Sequence, residues 1–124
     1  MPINITVLNK WAEALESGDY EQGFGLLCRA KDSTYCCLGV AAKVILEPSQ
    51  CAELFESDVN SANPVDRPGS FKWLTDATGL TPFELNVLTQ RNDSHWSGFG
   101  WTFLEIARHL RNRVQDEECK NAQE

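Results

Sequence analysis

The sequence predicts a mainly α domain of the α+β kind: a compact single unit of about five helices, with one small β-hairpin just before a central buried helix. Three observations carry this. Apolar residues recur at three- and four-residue spacing in several segments, which is the period of a half-buried helix. Two of those segments open on a Thr-x-x-Glu capping box, at Thr81 with Glu84 and at Thr102 with Glu105. Alternation with a period of two is confined to one short stretch around Phe24 to Ala30.

In chain order, Ile5, Leu8, Trp11, Ala12 and Leu15 share one helical face, and Ser17-Gly18 stops that first helix. Phe24, Leu26, Cys28 and Ala30 then alternate with Gly25, Leu27 and Arg29. Lys31-Asp32-Ser33 makes a polar turn before Thr34-Tyr35, the pattern of a hairpin. Cys37 to Leu46 is apolar nearly all round, with Lys43 its one charge, so it reads as the central buried helix. Gly39, Ala41 and Ala42 permit close packing there, and Pro48 marks its end. Residues 49–70 lose this period and carry Glu53, Glu56, Asp58 and Asp66 against Arg67. They read as an acidic loop or insertion with one helical turn around Cys51 to Phe55.

Ser70 is placed to cap a short helix through Phe71, Trp73, Leu74 and Ala77, ended by Gly79. Thr81 as N-cap, Pro82 at the first helical position and Leu80 stapled to Leu85 start the next helix, which should run to about Arg91. A polar-aromatic loop from Asn92 to Gly100 follows. Phe103, Ile106, Ala107, Leu110 and Val114 form the inner face of the last helix, with Trp101 and Ile106 as its staple. The expected domain is residues 1–114, and residues 115–124, lacking an apolar period, are expected to fray as a polar tail.

Size and charge bound the function. A chain of 124 residues buries roughly two-thirds of its unfolded surface on folding, enough for one core without a metal or disulfide scaffold. No apolar run approaches the ~18 residues that a spanning helix needs, so a soluble protein with no membrane association is expected. The opening MPINITVLNK has no basic stretch followed by an apolar run, which predicts no secretory signal and a cytoplasmic location. Five cysteines, two of them adjacent, fit reduced thiols better than a disulfide framework. Zinc is not expected either, because there is no C-x-x-C and His95 and His109 are far in sequence from the cysteine cluster. Neither a metal nor another cofactor is expected. Phe71 to Gln90 has the outline of a helix-turn-helix, but the chain is acidic, at -7, and Pro82 to Gln90 holds no Lys or Arg, so DNA binding is not expected.

Three constellations could carry chemistry. Cys36 and Cys37 stand where a hairpin gives way to a helix N-terminus, a position that can favour a thiolate nucleophile. The competing reading is two small thiols packed in the core. His95, Trp96, Phe99 and Trp101 surround two glycines and could stack on a nucleobase or anchor a partner, unless Phe99 and Trp101 fold back over the last two helices. Arg108, His109, Arg111 and Arg113, with Arg91, are the basic concentration of the chain. Their guanidinium forks suit phosphate, and equally suit a solvated helix C-terminus.

KWAEALESG at Lys10 to Gly18, YCCLGV at Tyr35 to Val40, Arg91-Asn92-Asp93 and TFLEIA at Thr102 to Ala107 together resemble a family of small proteins common in tailed-phage genomes and prophages. Members show a KW-x-x-AL-x-SG helix, a hairpin ending in CCLGVL, and a late LND-x-G-x-(S/T)F-x-EIA helix. The resemblance spans about residues 10–112 and skips the acidic loop. Val40-Ala41-Ala42 departs from the family's VL-C, and the loop after Asp93 is longer, inserting His95, Trp96 and Phe99. The resemblance implies a phage-type accessory protein in a bacterial host cytoplasm and no particular reaction. The expected function is therefore non-catalytic binding that neutralises a host defence component. The alternatives are a nucleotide-signal sink built from Trp96, Phe99, Trp101, Arg91, Arg108 and Arg111, and a cysteine-dependent enzyme.

Overall fold

The computed structural model describes residues 3–23, 28–29, 34–56, 71–93 and 100–122. Among these, helix α1 (Ile5–Glu16) leads to strands β1 (Glu21–Gln22), β2 (Cys28–Arg29) and β3 (Thr34–Tyr35). Helices α2 (Cys37–Ile45), α3 (Pro48–Glu56), α4 (Lys72–Thr78), α5 (Pro82–Asp93) and α6 (Phe103–Ala122) follow. The fold is mainly α, as the helical periodicity implies.

Asn4 caps α1, its Oδ1 accepting from the Val7 amide at 3.2 Å. The Asn4 amide in turn donates to the Thr78 carbonyl at 2.8 Å, joining the start of α1 to the end of α4. Past the other end of α1 the chain reverses at Gly18, whose φ of 82° is the left-handed conformation that glycine adopts without strain. Both expected capping boxes form. The Glu84 amide donates to Thr81 Oγ1 at 3.1 Å, and Thr102 and Glu105 exchange backbone-to-side-chain bonds of 3.0 and 3.2 Å.

The sheet has strand order β1-β3-β2. β2 and β3 are the antiparallel hairpin, in the register Cys28↔Tyr35 and Arg29↔Thr34. β1 adds to the far edge of β3 in parallel, Glu21 opposite Thr34 and Gln22 opposite Tyr35. At two residues it is too short to announce itself by alternation.

Three expectations are corrected. The segment from residue 49 is not one helical turn in a loop: α3 spans Pro48–Glu56. Pro48 occupies the first helical position, where its missing amide costs nothing, and the Glu47 amide donates to Gln50 Oε1 at 3.0 Å as a cap. The rest of the expected acidic loop, residues 57–70, lies outside the described residues, and so does Ser70, the expected cap of α4. Helix α5 extends to Asp93, past Arg91. Residues 115–122 are not a frayed tail but continue α6 to Ala122. Most of the side chains from Gln115 to Lys120 are exposed, and Gln, Glu and Lys favour a helix without any apolar stripe to betray it.

One core cluster runs from Ile3 to Val114 and joins α1, α2, α4, α5 and α6. α1 packs chiefly on α6, and α2 lies between α1 and α5. The six residues from Cys37 to Ala42 are all buried, as a helix apolar on every side requires. At its head Trp11, fully buried, donates its indole N–H to the Cys37 carbonyl at 2.9 Å.

Candidate functional site: a groove on the last helix

The basic residues of the chain divide by partner. Arg111 turns toward α1, where its Nε and Nη2 meet the two oxygens of Glu16 at 2.9 and 2.6 Å. Arg113 turns toward α5 and donates to Glu84 Oε2 at 3.1 Å. Both serve to bind helices together. Arg91 and Arg108 are exposed and make no ion pair among the described residues.

Both lie near Trp101, Arg91 over its ring and Arg108 with it along one groove. The Trp101 amide donates to the Arg91 carbonyl at 2.9 Å, and its own carbonyl accepts from Gln22 Nε2 at 2.9 Å. Pinned this way, the half-buried indole lies with the Arg91 guanidinium 5.4 Å from its centroid. The His109 ring stands 5.5 Å from the same indole, tilted by 41°. A shallow groove of about 300 Å³ opens beside them, lined by Trp101, Glu105, Arg108, His109 and Asn112. The last four are spaced i, i+3, i+4 and i+7, so one face of α6 supplies them. The Glu105 carboxylate is committed to its capping box with Thr102. Burial and the Arg113 guanidinium lower the His109 pKa from 6.5, with Glu84 partly opposing them.

Of the residues expected to form an aromatic and arginine site, Trp101, Arg91 and Arg108 come together. Arg111 does not, because Glu16 holds it. His95, Trp96 and Phe99 lie outside the described residues. The Trp101 ring itself is half-buried and engaged by Arg91 and His109.

The paired thiols are interior. Cys36 and Cys37 are fully buried, and the Cys37 thiol donates to the Leu88 carbonyl at 3.7 Å. Burial pushes the Cys36 thiol up to about 12. Burial first, then the proximity of Cys36 and Asp93, raises Cys37 well above its ordinary value. A thiol in that setting is a packing group, not a nucleophile. Among the described residues no group of three His, Cys, Asp or Glu side chains is arranged to hold a metal ion. No helix among them is long and apolar enough to cross a membrane.

The pattern of residues does not announce the polar node behind the groove. Asn92, fully buried, accepts from Gln22 Nε2 at 3.0 Å and donates to the Gly23 carbonyl at 2.9 Å. Gln22 Oε1 accepts from the Phe103 amide at 3.2 Å, so the first strand holds the start of α6 and the end of α5 together. The one sequence signal was an Asn at a helix end, which also fits an ordinary cap.

Residues 3–63 match the model of a domain of unknown function, DUF8296. The match takes in α1, the sheet, α2 and α3, while the groove on α6 lies outside it. Neither a curated protein nor a solved structure matches the chain. The chain is thus similar to DUF8296 in its N-terminal half.

Proposed function

We propose that this chain is a phage-type accessory protein that acts by non-catalytic binding in a bacterial cytoplasm and neutralises a host component, a defence protein being the expected partner. One observation supports the reading. The groups best suited to bond-making, Cys36 and Cys37, are sealed in the core, whereas Arg91 and Arg108 present positive charge outward beside the half-buried Trp101. The test is capture from host lysate on the immobilised chain. A specific host protein retained at low salt and released as salt rises is the expected result. A lysate that leaves nothing specific on the chain contradicts it.

A second reading, sequestration of a nucleotide signal, is favoured by the two arginines near Trp101 that have no carboxylate partner among the described residues. Calorimetry with a panel of nucleotides checks it. Heat of binding that disappears in Arg108→Ala is expected, and no heat with any member of the panel rejects it.

A further inference from the structure

We propose that the groove on α6 is a site for a phosphomonoester, in which Arg108 and Asn112 hold the phosphate and His109 takes up a proton as the ligand binds. This rests on the nucleotide reading above and adds to it which atoms recognise the ligand and how pH governs the site.

The argument begins with which charges are already spent. Among the described residues, the charged groups near His109 come from two helices. On α6 these are Glu105, Arg108 and Arg113, on α5 Glu84 and, across the indole, Arg91. Glu84 is paired with Arg113 at 3.1 Å, and Glu105 caps its own helix through the Thr102 amide at 3.0 Å. Arg111 and Glu16 satisfy each other on the side of α1. Glu105 keeps its charge but is held at the start of α6 by the Thr102 amide, and among the described residues the guanidiniums without a carboxylate partner here are those of Arg108 and Arg91.

Among the described residues, the groove side chains without a hydrogen-bond partner are Arg108, Asn112 and His109, spaced within about one turn on one face of α6. A tetrahedral oxyanion is the ligand that uses a guanidinium fork and two further donors together. The volume, about 300 Å³, is at the low end of the range of roughly 300–1,000 Å³ for small-ligand sites. That volume accommodates a phosphate carrying a small organic group. Because Arg91 and His109 already engage Trp101, the phosphate rather than the base is the main point of recognition.

Arrival of the anion reverses the electrostatics at His109. In the free protein burial and Arg113 disfavour the imidazolium. A phosphate within ~4–6 Å favours it, by an amount typical of an opposite charge at that range. By linkage, whatever raises the proton affinity of His109 on binding makes binding tighter when that proton is present.

The test uses the full chain with inorganic phosphate, AMP and adenosine as probes. The imidazole signals of the two histidines are followed by NMR against pH, and assigned with His95→Gln and His109→Gln. The expected result is that AMP and phosphate bind and adenosine does not, and that the His109 midpoint rises by about one pH unit or more when AMP saturates the site. His109→Gln then weakens AMP binding several-fold at pH 6 and little at pH 8. Binding of AMP with the His109 midpoint unmoved overturns this inference and leaves the nucleotide reading standing. Adenosine binding as tightly as AMP overturns the phosphate assignment alone. No binding of any phosphate compound overturns both.

Discussion

Gln22 on the first strand donates its side-chain amide to the buried Oδ1 of Asn92 at 3.0 Å, across 70 residues of sequence. That bond is the centre of a small network. Asn92 also binds the Gly23 carbonyl, and Gln22 also binds the Trp101 carbonyl and the Phe103 amide. A two-residue strand thereby fixes the junction of α5 and α6, and with it the indole against which the groove is built.

Asn92→Ala should be among the most damaging single polar changes. It strands the Gly23 carbonyl and one Gln22 donor in the interior, at about 1–3 kcal/mol for each unsatisfied group. A total of about 3 kcal/mol lowers the melting temperature by about 10 °C for a domain of this size. Gln22→Ala should cost less, since Gln22 is only half-buried and water can replace it. Thermal unfolding of the two variants and the double variant checks this, and the double change should cost less than the sum.

Gly23→Ala should destabilise by steric conflict. A Cβ at that position would lie 2.5 Å from Thr34 Oγ1 and 2.8 Å from Thr34 Cβ, with the Gly23 amide already tied to the Tyr35 carbonyl at 2.7 Å. Overpacking of this kind costs about 1–3 kcal/mol. Adding Thr34→Ala should not restore stability, because the contact with Cβ remains. Urea midpoints of the single and double variants decide it.

Trp11→Phe separates the indole hydrogen bond from the packing of the ring. It removes the N–H that serves the Cys37 carbonyl and leaves most of the apolar volume, at a cost of about 1–3 kcal/mol. Trp11→Ala should cost at least 3–5 kcal/mol by the usual range for aromatic truncation, or unfold the chain. Chemical denaturation of both variants measures the difference.

These residues show how far the sequence carries the fold. Capping is local, so Thr81 with Glu84 and Thr102 with Glu105 can be read as written, and the apolar faces of α1 and α6 follow from spacing alone. Pro48 has two meanings, the end of one helix and the first residue of another, and only the Gln50 cap distinguishes them. β1 is too short to show a period, and the last two turns of α6 have no buried stripe to generate one. At the site, the run from Arg108 to Arg113 is visible as composition. Its division into Arg111 on Glu16, Arg113 on Glu84 and an uncommitted Arg108 depends on which helix each face meets, and no local pattern encodes that.

The pH dependence of stability has two separable parts. Hydrogen bonding to Arg111 lowers the Glu16 pKa from 4.5, so the contribution of that pair is complete above 4.5 and is lost as pH falls through the folded value. The pair is well exposed, so Arg111→Ala should cost only about 0.2–1 kcal/mol near pH 7, and less at high salt. His109 acts through the unfolded state. Its pKa is lowered from 6.5 in the fold, so the unfolded chain binds the extra proton first and stability declines as pH falls through 6.5. Melting temperatures between pH 4 and pH 8 should show both slopes, with His109→Gln flattening the upper one.

The most direct measurement is site-resolved alkylation of the native chain by iodoacetamide, read by mass spectrometry. Burial of Cys36, Cys37 and Cys51 and exposure of Cys119 predict rapid modification at Cys119 and protection of Cys36, Cys37 and Cys51 until denaturant is added. Fast modification of Cys36 or Cys37 in the folded protein would contradict the account and return the chain to cysteine chemistry.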